Sequence, residues 1–400
     1  MISWALPRER KFSISAYVKT VSEIVEEVRS KGDRALLDLT QRFDGVKLDS
    51  VNASRRELEE QSAKLPSEVK ESISRISSHL ESYHQMIKPA VMGEGIDGVR
   101  IDLRWVPLKS VGIYVPGGKA SYPSTLLMAS IPARVAGVKE IYVSTPSKEG
   151  RIDPAIAYIV ISEGVEEVYK VGGAQAIAAL AYGTETVKRV DKIVGPGNVY
   201  VQAAKYLVSL DVGIDGVEGP TELVVIADES ASPRRVALDL QAQAEHGPMT
   251  TLALISTSPQ LLEDVASILG SDSNVYSLVK VGSIAEAIEI ANQIAPEHLS
   301  LHVKDAEKYV NEVVNAGVVT LGDTAPALVD YCAGVSHVLP TNGWSRFRSG
   351  LSVFDFLKAL PAIKDNSIRR ELVRAAEILA RYEGFRIHAS SIGARYGGDS

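Results

Sequence analysis

The chain has 400 residues, of which 45% are hydrophobic and 23% are charged, and this composition is typical of a globular protein with more than one domain. Its formal net charge of -7 argues against a nucleic-acid partner, and no apolar run approaches the ~18 residues that a membrane span needs. The single cysteine, Cys332, excludes an intrachain disulfide and a thiolate-rich zinc site, and it favours a cytoplasmic location.

The N-terminal region is predicted to be helical and to carry no targeting signal. The first segment, MISWALPRERKFS, soon turns charged and lacks the apolar core of a signal peptide. Pro66 separates two helices, and the charged RRELEE in the first of them is expected to face solvent. Apolar residues of the second helix alternate in steps of four and three, which defines one face: Val69, Ile73, Ile76, Leu80 and Tyr83. On that helix, His79 and His84 are expected to be surface or packing residues.

From about residue 105 short β-rich segments alternate with helical ones. The first series runs through SVGIYV, STLLMASIPARVAG, KEIYVST, AIAYIVI, EEVYKVG and AQAIAALAYG. The second runs through GPTELVVIAD, PRRVALDLQ, TLALIST, LLEDVASILG, LSLHV, EKYVNEVVNAG and VVTLG. Two such series predict two α/β domains with mainly parallel sheets. The final segment, from GLSVFDF onward, is predicted to be helical, and His302 in LSLHV is expected to be structural.

Three glycine-rich turns follow predicted strands of the first series. They are VPGGKA at 115–120, VGGAQA at 171–176 and VGPGNVY at 194–200. Ligands of α/β sheets bind at such strand-to-helix turns, but none of the three spells G-x-G-x-x-G. Two interpretations stay open from the residues alone: a site for a phosphate-bearing or flat ligand, and glycines that only allow tight turns.

The segment QAQAEHGP closes the helix that begins at Pro233. Packing surface is expected from its apolar residues, Val236, Leu238, Leu240 and Ala244. Gln243 and His246 are three apart and share a face of the last turn, where an amide and an imidazole could hold a metal. An ordinary helix end, with His complementing the helix dipole, explains the same pattern.

The chain resembles the histidinol dehydrogenase family, whose enzymes catalyse the last two steps of histidine biosynthesis. Eight motifs in the family's order carry the resemblance: VGIYVPGGKASYPSTLLM, VGGAQAIAALAYGTETV, KIVGPGNVYV, GPTE, QAEH, APEHL, DYCAGVSHVLPT and EG-x-x-x-H. The resemblance implies two Rossmann-like, incomplete α/β domains with mainly parallel sheets, plus N-terminal helices and a C-terminal helical tail. The implied division is an N-terminal arm (1–18), a discontinuous domain with the zinc ligands and catalytic base (19–112 and 227–350), an NAD-binding domain (113–226) and a dimer-crossing tail (351–400).

The resemblance also implies a zinc ion held by Gln243, His246, Asp330 and His388. An amide oxygen, two imidazoles and a carboxylate form an N/O donor set that suits zinc without thiolates. The ion would act as a template for the substrate's imidazole and amino group. His337, near this site in the motif SHVLPT, is expected either to support a zinc ligand or to be structural.

The APEH motif implies a catalytic pair. His298 would be the general base, since a histidine pKa near 6.5 suits proton removal at neutral pH, and Glu297 would activate water. An unrelated adjacent Glu-His pair would more often lie in a solvated loop. Cys332 has no distinctive activating partner in the sequence, so we expect a hydrated aldehyde rather than a thiohemiacetal. L-histidinol would give L-histidine through L-histidinaldehyde, with two NAD reduced.

The remaining expected contacts also follow from the resemblance. NAD would contact Tyr114, Gln175 and Asn198, and the protein would be a cytoplasmic homodimer that exchanges its tails. The expected substrate contacts are Thr221, Gln243, His246, His298, Asp330, Glu383 and His388. Three residues depart from the family's common pattern: Thr221 for Ser, Gly247 for an acid and Ser336 for Asn. Two other functions stay open, a related zinc and NAD dehydrogenase of another amino alcohol, and a non-catalytic zinc-stabilised dimer.

Overall fold

The computed structural model describes residues 2–7, 13–117, 121–270 and 275–396. The chain divides into two compact units. The larger unit comprises residues 1–88 and 108–356, and the smaller unit comprises residues 89–107 and 357–400.

Helices and strands alternate through most of the larger unit, and the smaller unit contains α12, α13, β2, β3 and β14. The α-helices are α1 (Ser15–Lys31), α2 (Asp33–Asp44), α3 (Arg55–Ala63), α4 (Ser67–Ile87), α5 (Pro123–Ala136), α6 (Pro154–Glu163), α7 (Gly173–Tyr182), α8 (Val199–Val208), α9 (Pro233–Ala244), α10 (Pro259–Leu269), α11 (Ile284–Ile294), α12 (Arg370–Tyr382) and α13 (Arg386–Tyr396). The strands are β1 (Ile2–Ser3), β2 (Met92–Ile96), β3 (Val99–Pro107), β4 (Ser110–Tyr114), β5 (Glu140–Ser144), β6 (Glu167–Tyr169), β7 (Lys192–Val194), β8 (Gly213–Ile214), β9 (Glu222–Ala227), β10 (Thr251–Ser256), β11 (Tyr276–Lys280), β12 (His298–His302), β13 (Val318–Leu321) and β14 (Leu357–Asp365). Within the described ranges, no helix combines the length and apolar character needed to cross a membrane.

Two parallel sheets form the framework of the larger unit. One has five strands in the order β6-β5-β4-β7-β8, and the other has six in the order β1-β11-β10-β9-β12-β13. Every strand pair in both sheets is parallel. Strands β4 and β12 are buried at every residue, as expected where helices cover both faces of a parallel sheet. The predicted α/β class with mainly parallel sheets is therefore confirmed.

The N-terminal helices pack on the helices of the five-stranded sheet. α1 contacts α7 and α8, α3 contacts α6, and α4 contacts α5. Val21, Val28 and Leu36 share one apolar core with Ile177 and Leu180 of α7. Residues 15–87 thus pack on the side of the five-stranded sheet, which carries the glycine turns. In contrast, β1 pairs with β11 of the six-stranded sheet. The grouping of 19–112 with 227–350 stays a prediction that these contacts do not support.

The smaller unit contains a sheet that the sequence analysis missed. β14, β3 and β2 form an antiparallel sheet, and α12 packs against α13. The predicted C-terminal helices are present as α12 and α13, but the nine-residue strand β14 precedes them and was not predicted. A signal was present in VRIDLRWVP at 99–107, where apolar and charged residues alternate as in a strand with one packed face.

Three smaller expectations were also wrong. Leu238 of α9 is 52% exposed and Val69 of α4 is 38% exposed, so neither belongs to the buried helix face. The segment EKYVNEVVNAG forms only a short 3-10 helix, Ala306–Glu312, instead of an α-helix. The segment contains three β-branched valines, Val310, Val313 and Val314, which disfavour a longer helix.

Candidate active site

The candidate site lies at the amino edge of two neighbouring strands of the six-stranded sheet. Glu222 is the first residue of β9 and His298 is the first of β12, and His298 lies opposite Leu223 in the parallel register. Helix α9 joins the parallel strands β9 and β10, so its C-terminal turn, with Gln243, returns to the same edge. Parallel connectivity therefore brings three separate segments together here.

Thr221 links two of the predicted site residues through its hydroxyl group. Its Oγ1 donates a hydrogen bond to Oε2 of Glu297, and it accepts one of 2.5 Å from Nε2 of Gln243. Because the amide nitrogen of Gln243 is used in this bond, the amide oxygen is directed away from Thr221 and is the atom free to serve as a metal ligand. The result is a continuous chain of hydrogen bonds from Gln243 through Thr221 to Glu297.

Glu222 also holds Glu297, and the sequence analysis did not single it out. The backbone N–H of Glu222 donates to Oε2 of Glu297 at 3.0 Å, and the N–H of Glu297 donates to Oε2 of Glu222 at 3.2 Å. The N–H of Asn342 donates to Oε1 of Glu222 at 3.0 Å. The position of Glu222 beside Thr221 in the motif GPTE was the signal in the sequence that could have identified it as a site residue. The two carboxyl groups are thus anchored to each other's backbone.

Burial sets the proton affinity of both carboxyl groups. Glu297 is buried, and burial raises its pKa well above the usual value, although the bonds from Thr221 and Glu222 oppose the shift. Burial likewise raises the pKa of Glu222 to about 7, against the bonds from Asn342 and Glu297. Glu222 can therefore take up a proton near neutral pH, and Glu297 binds a proton more tightly than a solvated carboxylate.

His298 is 2% exposed, and its ring is held neutral. Burial, together with the neighbouring rings of His246 and His337, lowers its pKa to about 3. This differs from the value near 6.5 assumed in the sequence analysis, because that value applies to a solvated imidazole. Nδ1 of His298 is buried and has no hydrogen-bond partner among the described residues.

The predicted metal ligands of the larger unit present suitable donor chemistry. Burial lowers the pKa of His246, which favours the neutral imidazole that binds metals, and burial raises the pKa of Asp330 to about 6. His246 lies in the turn just after α9, where its N–H donates to the carbonyl of Gln243 at 3.3 Å. An amide oxygen, an imidazole and a carboxylate thus fit a zinc ion by donor type. The ligand set stays a prediction.

The fourth predicted ligand belongs to the smaller unit. His388 lies on α13 with its ring 5.2 Å from that of Phe385, measured between ring centres, and Glu383 follows the end of α12. Across the described ranges, no group of three or more His, Cys, Asp and Glu residues is arranged to hold a metal ion. The predicted set differs from such a group because it includes the amide of Gln243 and a histidine expected from another subunit.

His337 lies between the loop of Asp330 and helix α5. Its Nδ1 is 2.9 Å from the backbone oxygen of Asp330, and its Nε2 is 3.1 Å from the hydroxyl of Thr125. The carbonyl can only accept, so Nδ1 carries the proton and Nε2 accepts from the hydroxyl. His337 therefore fixes the backbone at Asp330, which is consistent with the supporting role considered for it, and Thr125 was missed.

Two of the departures from the family pattern have a local explanation. Gly247 has a φ of 122°, a backbone conformation that favours glycine, so a residue with a side chain would be strained there. Ser336 is buried, and its Oγ accepts a bond of 3.1 Å from the N–H of Val338. Gly247 thus shapes the turn that follows His246, and Ser336 shapes the turn that contains His337.

The predicted NAD contacts lie at the carboxyl edge of the five-stranded sheet. Tyr114 ends β4 and is buried, its hydroxyl accepts from the N–H of Gly173 at 3.1 Å, and burial raises its pKa to about 12. Asn198 caps α8 by accepting from the N–H groups of Tyr200 and Val201. Gln175 is buried in the first turn of α7. Their role in NAD binding stays a prediction, and residues 118–120 of the first glycine turn lie outside the described ranges.

Comparisons with known proteins identify the family of the chain. The family model described as histidinol dehydrogenase matches residues 7–396. The chain is 54% identical over 397 residues to the histidinol dehydrogenase of Saccharolobus solfataricus, and the match covers 99% of this chain and 100% of the relative. It is 52% identical to that of Sulfurisphaera tokodaii, with the same coverage. The crystal structure of histidinol dehydrogenase from Elizabethkingia anophelis is 34% identical with a TM-score of 0.90, covering 98% of this chain and 94% of that one. The chain therefore belongs to the histidinol dehydrogenase family of oxidoreductases.

Proposed function

We propose that the protein oxidises L-histidinol to L-histidine through L-histidinaldehyde, and that each of two oxidation steps reduces one NAD. The observation that carries the proposal is the hydrogen-bonded chain from Gln243 through Thr221 to Glu297, next to the neutral imidazole of His298. Membership of the histidinol dehydrogenase family supports the substrate and the reaction.

In the first step His298 accepts the proton of the substrate's hydroxyl while hydride leaves the same carbon for NAD. The step consumes one alcohol and one NAD and gives one aldehyde, one NADH and one proton. Burial keeps the ring of His298 unprotonated, which is the form that a general base needs. Because the same burial disfavours the imidazolium, the proton has to move on before the next step.

In the second step Glu297 takes a proton from water as the water oxygen adds to the aldehyde carbon. The gem-diol forms as its monoanion, which loses hydride to a second NAD and becomes the carboxylic acid. Supporting this role, the pKa of Glu297 is raised, so the carboxyl can both accept and hold a proton. Cys332 is exposed, which favours hydration over a buried covalent thiohemiacetal at this residue.

Gln243, His246 and Asp330, with His388 of the partner subunit, would hold the zinc ion. When bound, the ion would supply a fixed positive charge that orients the imidazole and amino group of the substrate. Thr221 would contact the substrate beside Glu297, and Glu383 would do so from the partner's tail. Tyr114, Gln175 and Asn198 would contact NAD. We place the protein in the cytoplasm as part of this proposal, which the single cysteine supports.

Counting product tests the reaction. Zinc-loaded protein is given a limiting amount of L-histidinol with excess NAD, and the NADH formed is measured together with the bound metal. We expect two NADH per histidinol and one zinc per subunit. A yield of one NADH would mean that the aldehyde is released and that the second step is wrong.

The alternative functions give different results in the same assay. A dehydrogenase of another amino alcohol would give no NADH from L-histidinol but would oxidise a different alcohol in a substrate screen. A non-catalytic zinc-stabilised dimer would bind neither NAD nor any alcohol after zinc loading. The paired Glu297 and His298 in one buried site argue against this second alternative.

A further inference from the structure

A fully buried ion pair lies beneath the third glycine turn. Lys205 of α8 pairs with Asp215, which follows β8, and both side chains are 0% exposed. Removing two charges from water is costly unless further hydrogen bonds use their remaining capacity. The free energy of burying this pair therefore depends on what else the two charged groups bind.

Both members of the pair bind the backbone of Gly195. Nζ of Lys205 donates to the carbonyl of Gly195 at 3.0 Å, and Oδ2 of Asp215 accepts from its N–H at 2.7 Å. The carbonyl and the N–H of Gly195 are thus each bound by a charged side chain. Such charge-assisted hydrogen bonds are stronger than neutral ones.

Gly195 itself leaves little freedom to the turn. Its φ is 121°, and a Cβ atom placed on it would lie 2.1 Å from the carbonyl oxygen of Tyr114. The backbone at the end of β7 therefore runs directly against Tyr114, one of the predicted NAD contacts. The position of Gly195 therefore sets how closely the third glycine turn approaches Tyr114.

Gln202, which precedes Lys205 by one turn of α8, also binds the third glycine turn. It is fully buried, its Nε2 donates to the carbonyl of Gly197 at 3.2 Å, and its Oε1 accepts from the N–H of Glu218 at 2.8 Å. Gln202 and Lys205 are three apart and share a helix face. Two buried polar side chains thus hold two carbonyl groups of the segment that leads to Asn198.

We propose that Lys205, Asp215 and Gln202 are positioning residues that hold the turn at 194–198 in the conformation that binds the dinucleotide. Ligands of parallel sheets bind at the carboxyl ends of the strands, where this turn lies, and binding is tighter when the loop is fixed in advance. The inference rests on the proposed function, since it takes NAD as the ligand at this edge.

Conservative variants of the zinc-loaded enzyme test the proposal. Lys205→Met removes the charge and keeps the length of the side chain, and Gln202→Met removes two hydrogen bonds without leaving an unpaired charge. We expect each to raise the Kd and KM for NAD by roughly 10-fold or more, because misplacing a positioning group by ~1 Å can cost ~10²-fold. KM for L-histidinol, kcat at saturating NAD and bound zinc should stay close to wild type.

Lys192→Met is the matched control. Lys192 lies at the opposite end of β7 and pairs with Asp355 at 3.1 Å, so its replacement also breaks a partly buried ion pair. It should lower the thermal midpoint but leave the Kd for NAD unchanged. If Lys205→Met does not fold, the same comparison is made with Gln202→Met alone.

Two results would overturn the inference in distinguishable ways. If wild type binds NAD and both test variants lose thermal stability with an unchanged Kd, the cluster is only structural and the proposed function stands. If wild type does not bind NAD at all, the inference and the proposed function fail together.

Discussion

The hydroxyl of Thr221 connects the predicted metal side of the site with its predicted water-activating side. It fixes the rotation of the Gln243 amide by accepting from the nitrogen, and it donates to the carboxyl of Glu297. Supporting bonds of this kind orient metal ligands, and their loss commonly costs 10–100-fold in affinity or activity. One side chain that never needs to touch the reacting carbon can therefore affect both functions.

Thr221→Val should weaken zinc binding and slow turnover, each by roughly 10–100-fold. The methyl group cannot accept from Gln243, so the amide is free to turn, and Glu297 loses its closest donor. Zinc affinity measured by competition with a chelator, together with kcat, checks this. Thr221→Ser keeps the hydroxyl and should behave like wild type. Equal zinc affinity for the Val and Ser variants would contradict the role given to the hydroxyl.

Glu297→Gln should separate the two oxidation steps. The amide cannot take a proton from water, so hydration of the aldehyde should slow by ~10²–10⁴-fold, whereas the first hydride transfer does not use this proton. The variant should therefore form close to one NADH per histidinol and release an aldehyde that semicarbazide traps. Two NADH per histidinol at the wild-type rate would show that Glu297 is not the residue that activates water.

At the scale of single elements, the apolar periodicity of α4 predicts two of its three buried residues but not the third, which is a histidine. Ile73 and Leu80 are buried as its periodicity predicts, but the third buried residue is His84, which is 0% exposed. Neither ring nitrogen of His84 has a hydrogen-bond partner among the described residues, and the ring packs edge-on against Tyr83. Burial lowers its pKa to about 4.

This histidine makes stability depend on pH. Between about pH 6.5 and 4 the unfolded chain binds a proton at position 84 that the folded chain does not, so stability is lost as pH falls through this window. The loss should be on the order of 2 kcal/mol after allowance for solvent screening. Urea unfolding of His84→Leu should show a flatter dependence across this window than wild type.

His79→Leu serves as the control on the same helix, because His79 is exposed. It should keep the wild-type pH dependence of the free energy of unfolding. An identical slope for wild type and His84→Leu would mean that His84 is protonated equally in both states.

At the scale of the whole molecule, the two parallel sheets carry the two predicted sites at opposite edges, one at amino ends and one at carboxyl ends of strands. The candidate active site lies at the amino ends of β9 and β12, and the glycine turns lie at the carboxyl ends of β4, β6 and β7. Ligands of open α/β sheets usually bind at carboxyl ends, so only the second location follows the general rule. The predicted metal ligand Gln243 reaches the predicted catalytic pair instead because α9 returns to the start of its sheet.

Mixing two inactive variants tests the predicted dimer with exchanged tails. His298→Asn and His388→Asn should each be inactive because one lacks the base and the other a zinc ligand. If His388 acts in the partner subunit, a heterodimer contains one site with both defects and one intact site, and activity should return on mixing. Activity of the mixture is measured after unfolding and refolding the chains together. No recovery, despite heterodimers seen by mass spectrometry, would place the tail in its own subunit.

The sequence predicted most of the framework of the larger unit. Strand and helix periodicity identified segments such as SVGIYV and AQAIAALAYG, because a buried parallel strand needs a continuous apolar run. It missed the antiparallel sheet of the smaller unit, whose strand β14 is exposed at nearly every residue and so lacks an apolar pattern. It also misplaced Leu238, since the side of α9 that is covered depends on the neighbouring elements and not on α9 itself.

The sequence by itself determined the residue types of the site, the α/β class and, through its motifs, the family. Only the tertiary structure decided that Thr221 joins Gln243 to Glu297, that His298 loses its proton affinity, and that Lys205 and Asp215 hold Gly195. The physical reason is that hydrogen-bond partners and desolvation depend on which distant segments meet. Periodicity along one chain encodes which face of an element is apolar, but it does not encode what lies against that face.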